Sequence, residues 1–270
     1  MSKYHELSTN IRKDVLRLTY EKKAGFIGSS FSCADILAVL YGGYVRLNLN
    51  DPNDENNDTV ILSKGHAASA WYAALANIGA MTKEKMFEEF HKSGCKLGVH
   101  PKRNSVVGIR TSTGSLGQGL GLGCGVALAY KIKNKDNKVY VILGDGECNE
   151  GSVWEGFMFA KKYKLNNLIV FIDRNKLQSY GHDIDVLNME EMAPRLMSFG
   201  WNTLVVDGHN KDEIDKALQE AMKSDKPTAI IANTIKGKGV AEFEDKVLWH
   251  YKWPEKEHYD EGLKELNKDA

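Results

Sequence analysis

The sequence predicts an α/β fold: one doubly wound, mostly parallel sheet with helices on both faces. Two observations carry this expectation. Short apolar runs at 139–143, 168–172 and 227–234 are bounded by glycine, proline or polar residues, as strands buried on both faces are. Segments with helical apolar spacing lie between such runs, so strand and helix alternate along the chain. At 270 residues the chain can bury a full core without staples. No internal repeat, low-complexity tract or linker divides it. The expectation is therefore one domain, 1–270, with a C-terminal extension from about residue 241.

Residues 8–21 read as a charged amphipathic helix with Ile11, Val15 and Leu18 on its apolar face. Ser32 is the expected N-cap of a helix reaching Tyr44. Residues 51–58, rich in Asn and Asp and carrying Pro52, form a surface loop. A short strand at 59–62 leads into Ser63-Lys64-Gly65-His66, which opens an alanine-rich helix running to about residue 78. A helix at 81–90 and a loop at 93–110 follow, then a helix carrying Gly117, Gly119, Gly121, Gly123 and Gly125. Five glycines inside a helix cost about 4–5 kcal/mol against alanine, so close backbone packing must offset them. Gly117, Gly121 and Gly125 share one face, and another helix or a ligand is expected against it.

The strand at 139–143, the helix at 149–162 and the strand at 168–172 make one βαβ unit, whose crossover should be right-handed. A helix at 189–199, a strand at 201–206, a helix at 211–223 and the strand at 227–234 complete the alternation. The remaining tail is charged and aromatic, with Trp249-His250 as its notable pair.

Composition excludes several classes. The 36 basic and 36 acidic residues balance, leaving no electrostatic case for nucleic acid. No apolar run approaches the length of a membrane span, and the start lacks a signal-peptide core, so a cytoplasmic protein with no membrane partner is expected. Cys33, Cys95, Cys124 and Cys148 are scattered without a CxxC pair and read as reduced thiols; zinc is not expected. Cys148 reads as a small neutral filler.

The chemistry centres on the βαβ unit. Its strands deliver Asp145 and Asn175 at their carboxyl ends. Neighbouring strands lie about 4.8 Å apart, so the two groups can converge on one ion. Gly144 and Gly146 lack a Cβ and let backbone N–H groups approach a bulky anion. Open α/β sheets bind ligands at this edge. One carboxylate and one amide are too few for a calcium cage, but suit magnesium completed by phosphate oxygens and water. A magnesium–diphosphate site is the reading. A dinucleotide fingerprint is excluded, since no window of the glycine-rich helix has the required three positions and no strand directly precedes it. Lys236-Gly237-Lys238-Gly239 is not a phosphate loop of the Walker type, because no Ser or Thr follows at the required spacing.

Gly144-Asp145-Gly146, the 28 residues from Glu147 to Arg174, and Asn175 together resemble the thiamine diphosphate motif, and the full string GDGECNEGSVWEGFMFAKKYKLNNLIVFIDRN resembles that of transketolases. The resemblance implies thiamine diphosphate and Mg2+ as cofactors. It places Asp145, Asn175 and the Leu177 carbonyl on the metal, with Gly144, Gly146 and Glu147 beside the diphosphate. It implies that His66 lies over the diphosphate and reacting centre, that Gly114, Ser115 and Leu116 line the thiazolium ring, and that His100 faces the substrate. Lys236 and His250 would reach the cofactor phosphates and the donor, so His66, His100 and His250 are the implied catalytic residues. Glu150 and Glu155 match acidic residues that link the two active sites of a dimer. His209 reads as structural.

Two departures stand out. Where the family has Gly-His near the end of the first helix, this chain has Gly25-Phe26, and a phenyl ring makes no hydrogen bond to a sugar hydroxyl. The family's pyrimidine-binding domain, with the glutamate that activates the cofactor, does not follow residue 270. The resemblance thus implies the N-terminal subunit of a split transketolase, transferring a two-carbon ketol unit between sugar phosphates. A C-terminal partner subunit would supply the glutamate, with two copies of this chain forming the core of a heterotetramer. A related acyloin-forming or decarboxylating thiamine enzyme, and a non-catalytic cofactor-binding homologue, are the alternatives.

Overall fold

The computed structural model describes residues 4–268. Residues 1–3 and 269–270, the ends of the expected domain, lie outside that range. Strands β1 (Thr59–Leu62), β2 (Val139–Gly144), β3 (Leu168–Arg174), β4 (Asn202–Asp207) and β5 (Thr228–Asn233) form one sheet in the order β1-β2-β3-β5-β4. All four pairings are parallel.

Helices α1 (His5–Lys22), α2 (Ile27–Ser32), α3 (Ala34–Gly43), α4 (Ala68–Asn77), α5 (Lys83–Glu89), α10 (Lys211–Ala221) and α11 (Lys256–Lys268) share one core with Val60, Leu62, Tyr140, Ile142, Ile169, Phe171 and Ile230. Helices α6 (Gln118–Ile132), α7 (Gly151–Lys162) and α9 (Met192–Ser198) pack on the opposite face, against Ile61, Val139, Val141, Leu143, Leu168, Val170 and Ile172. Successive strand residues point to opposite faces, so an unbroken apolar run feeds both cores. Connections β1→β2→β3→β4 cross the sheet one way, and β4→β5 steps back. Right-handed crossovers therefore put α7 and α9 on one face and α10 on the other.

The structure corrects several expectations. Ser32 is not an N-cap: it ends α2, and its hydroxyl donates to Ser29 O and, at 2.6 Å, to Asp173. The alanine-rich helix starts one 3₁₀ turn (Gly65–Ala67) after the 63–66 string. The helix expected at 149–162 begins at Gly151, after a 3₁₀ turn at Gly146–Asn149. The helix expected at 189–199 shrinks to α9, preceded by the short α8 (Asp183–Val186), which periodicity does not reveal. The charged tail contains α11, which lies along α1 with Tyr259 stacked on Tyr20 at 4.6 Å between ring centres.

The glycine helix is also different in detail. Gly117 is its left-handed N-cap (φ +83°), so four glycines, not five, lie inside it. The tight face is Gly119 and Gly123. A Cβ on Gly119 would fall 2.2 Å from the Ser63 hydroxyl, and one on Gly123 would fall 2.5 Å from a Val141 methyl. Gly121 and Gly125 meet nothing within 4 Å. Nothing in the chain presses on the face that sequence spacing selects, because sheet contact falls on the other glycine pair.

Candidate functional site

The site is built at the carboxyl edge of the sheet, where four adjacent strands release their chains. β1 leads to His66, β2 to Asp145, β3 to Asn175 and β5 to Lys236, so sequence-distant residues are delivered side by side.

Asp145 is buried, and its carboxylate accepts hydrogen bonds from Gly146 N–H at 2.8 Å and Lys176 N–H at 2.5 Å. The second bond sets the carboxylate against the turn that carries Asn175 and Leu177. In that turn Asn175 Oδ1 accepts from Leu177 N–H at 3.1 Å, and Lys176 sits at φ +59°. Asp145, Asn175 and the Leu177 carbonyl thus form one group of oxygen donors. Burial, with repulsion from Asp173, raises the Asp145 pKa to about 6. A carboxylate destabilised in this way is prepared for a cation.

These residues fit a magnesium ion with a diphosphate. The donors are hard oxygens. Gln178 Nε2 is a buried donor without a partner, and Gln178 Cγ stands 2.9 Å from where a Gly146 Cβ would be, so Gly146 leaves room beside an orphaned donor. Lys236 Nζ, itself buried, already holds one positive charge against Leu177 O at 2.7 Å.

Glu147 and Gly144 behave differently from the expectation that both contact the cofactor. The Glu147 carboxylate is buried and accepts from the Ser63 hydroxyl, from Gly117 N–H at 2.9 Å and from Gly144 N–H at 3.1 Å. The two are engaged with each other, and Glu147 ties the ends of β1 and β2 to the start of α6.

Three histidines gather above this edge. A Cβ on Gly65 would lie 2.7 Å from Gly114 N, and one on Gly114 would lie 2.6 Å from His100 Cδ2, so two bare backbones let His66, Gly114 and His100 meet. Thr113 donates to Leu62 O at 2.7 Å, pinning this loop to β1, while Ser115 and Leu116 stay exposed. His66 and His250 have ring centres 5.4 Å apart. Phe26 stands among them, 5.4 Å from His66, 5.8 Å from His100 and 5.6 Å from His250.

Burial lowers the basicity of all three imidazoles, and for His66 and His250 the positive charges of Lys64 and Lys236 add to the effect. His250 falls to about 3. Burial and the Lys64 charge also lower Lys236, to about 8. Lys236 Nζ donates to His250 Nδ1 at 2.8 Å, so the proton of the neutral ring sits on Nε2.

Glu150 and Glu155 are exposed, at the start and on the outer side of α7. Cys148 is buried against Gly144 O, with its thiol pushed well above its ordinary range by burial. His209 is structural: it pairs with Asp35 at 2.9 Å and accepts from Ile235 N–H at 2.8 Å.

Sequence reasoning missed the ion pair beneath the site. Lys64 and Asp173 are fully buried and paired, with Ser32 and Thr234 also donating to Asp173. Burial opposes the Asp173 charge, but Lys64 and the two hydroxyls hold it below its ordinary pKa. The available signal was a charged residue inside each apolar run, directly before a proposed ligand. A cavity of about 830 Å³ under the loop at 93–110, lined by Lys85, Arg103 and Arg110 among others, contains none of the expected site residues.

Residues 5–252 match the model of the family described as "Transketolase, thiamine diphosphate binding domain". The chain is 37% identical to one of the separately encoded chains of the apulose-4-phosphate transketolase of Phocaeicola vulgatus, covering 95% of this chain and 91% of that one. It is also 37% identical to 6-deoxy-6-sulfo-D-fructose transketolase subunit SqwG of a Clostridium species, covering 96% and 94% respectively. Human transketolase is 37% identical across 92% of this chain, which spans only 39% of that protein. Among solved structures, Campylobacter jejuni transketolase superposes with a TM-score of 0.93 at 29% identity, over 99% of this chain and 43% of that one.

Proposed function

The chain belongs to the transketolase family, and from that premise we propose that it is the thiamine diphosphate-binding subunit of a split transketolase. The observation that carries this reading is one of extent. The two relatives named as separate subunits are matched over 91% and 94% of their own lengths, whereas the human enzyme is matched over 39%. A C-terminal subunit with the pyrimidine-binding domain and its activating glutamate would complete the site. The pair would move a two-carbon ketol unit from a ketose phosphate to an aldose, in the cytoplasm. The described chain is read as a single diphosphate-type domain.

Asp145, Asn175 and Leu177 O would hold Mg2+, and the metal would anchor the diphosphate. Bound thiamine diphosphate supplies carbanion chemistry that no side chain here offers. The protein's part is orientation and proton handling. Lys236 fixes His250 so that Nε2–H is the donating atom, aimed away from Nδ1. Neutral His66 and His100 can each accept or donate one proton at a substrate oxygen. Phe26 and the packed histidines exclude water from the same space.

The exposed side of α6 and α7, with Gly121, Gly125, Leu122, Met158 and Phe159, supports a homodimer inside a heterotetramer. Glu150 and Glu155 would lie near that contact.

Calorimetric titration with thiamine diphosphate and Mg2+ tests the reading. Asp145→Ala and Asn175→Ala are expected to weaken binding at least 100-fold each. Parent-like saturation in both variants would overturn it. Ordinary transketolase turnover by this chain alone would overturn the split site.

A further inference from the structure

Phe26 is held in a conformation that its side chain does not favour. Its φ of +71° lies in the left-handed region, where a bulky residue is an outlier. The strain is locked from both sides. Phe26 N–H donates to His250 O at 3.1 Å, and its carbonyl accepts from Ser30 N–H at 3.0 Å. The preceding Gly25 admits no side chain, because a Cβ there would fall 2.4 Å from Tyr251 O.

The ring this conformation presents is only partly buried. It lies between His66, His100 and His250, with Tyr251 at 6.0 Å. Backbone strain that persists at a ring of polar groups is a feature of sites rather than of cores. The cluster is joined to the metal and diphosphate end through the contacts His250–Lys236–Leu177. A substrate group that reaches Phe26 therefore belongs to the reacting end of the molecule, not to its remote phosphate.

We propose that Phe26 is a specificity-determining residue that lays an apolar face against the reacting end of the donor, favouring donors that present C–H or methyl there over donors that turn a hydroxyl to it. The proposal rests on the transketolase reading and names the donor feature its site selects. Around the ring, three imidazoles offer hydrogen bonds. At the ring itself a hydroxyl would lose its water and gain no partner. Discrimination of about 10- to 100-fold is the scale for one such hydroxyl.

The test uses the complex isolated through a tag on this chain. It compares kcat/KM for 1-deoxy-D-xylulose 5-phosphate and D-xylulose 5-phosphate in the parent, Phe26→His and Phe26→Leu. Phe26→His is expected to lower the deoxy-to-hydroxy ratio about 10-fold or more, and Phe26→Leu to keep it within about threefold. An unchanged ratio in Phe26→His, or an equal change in both variants, would overturn the proposal.

Thermal unfolding of the chain alone gives a readout free of turnover. Phe26→Gly relieves the strained φ and should leave Tm equal or higher. A fall of more than about 5 °C would mean that the ring serves packing, and would also overturn the proposal. A chain that fails to bind thiamine diphosphate and Mg2+ would remove the functional reading and the proposal together. One that binds both and turns over donors at an unchanged ratio removes only the role of Phe26.

Discussion

At the scale of single residues, the site couples stability to pH through its neutral histidines. The His250 pKa lies near 3 in the folded chain and 6.5 ordinarily. Between those values the unfolded chain binds a proton that the folded chain refuses, so stability is lost as pH falls from about 6.5 towards 3. The slope from one such group is about 1 kcal/mol per pH unit. Denaturant melts of the apo chain at pH 6.5, 5.5 and 4.5 should show this fall, and His250→Gln should flatten it by that amount.

The Lys64–Asp173 pair makes a second residue-scale prediction. Asp173→Asn leaves the Lys64 ammonium buried with only Ser29 O and Ser32 as partners. Breaking one side of a buried pair costs about 3–5 kcal/mol. The urea midpoint should drop accordingly, and a change under 1 kcal/mol would show that the pair is dispensable. Both groups sit in apolar runs that sequence reading assigned to core strands. Their partners come from α2, β3 and the end of β5, and no local pattern joins those three.

At the scale of elements, α6 shows how a sequence signal can be right in kind and wrong in face. The density of glycine did demand close packing, and Gly119 and Gly123 supply it against Ser63 and Val141. Which glycine pair meets the sheet depends on how the helix is rotated about its axis. That rotation is set by the buried Leu120, Cys124 and Ala127. Gly119→Ala and Gly123→Ala should each destabilise the chain by about 1–3 kcal/mol through overpacking. Gly121→Ala and Gly125→Ala should stabilise the isolated chain by up to about 1 kcal/mol, since alanine is the better helix former and nothing obstructs its methyl. Thermal melts of the four variants check the contrast, and equal effects in both pairs would contradict the observed packing.

The whole molecule leaves α6 and α7 with an apolar outer side. Leu122 is 45% exposed and Met158 52% exposed. If this face is the contact between two copies, Leu122→Glu should convert a dimer into a monomer in sedimentation experiments and leave the fold's Tm within a few degrees. A parent chain that is monomeric at micromolar concentration, alone and with its partner, would count against the contact. The C-terminal segment also takes its place only at this scale. Helix α11 has few apolar residues, and its order comes from Tyr259, Leu263 and Leu266 finding the first core beside α1. Read alone, it is a charged tail.

Strand order along the chain, the βαβ unit and the pair Asp145 and Asn175 were legible without coordinates, because each depends on local pattern: apolar runs that fit buried strands, and polar residues placed at their ends. The family resemblance was legible for the same reason, since its motif is a continuous string. Tertiary structure alone decided that Glu147 and Gly144 engage each other, that Phe26 stands strained among three histidines, and that Lys236 touches Leu177 O. These contacts join segments up to about 220 residues apart. They are set by sheet register and helix rotation, which the packing of the entire core determines and no local stretch encodes.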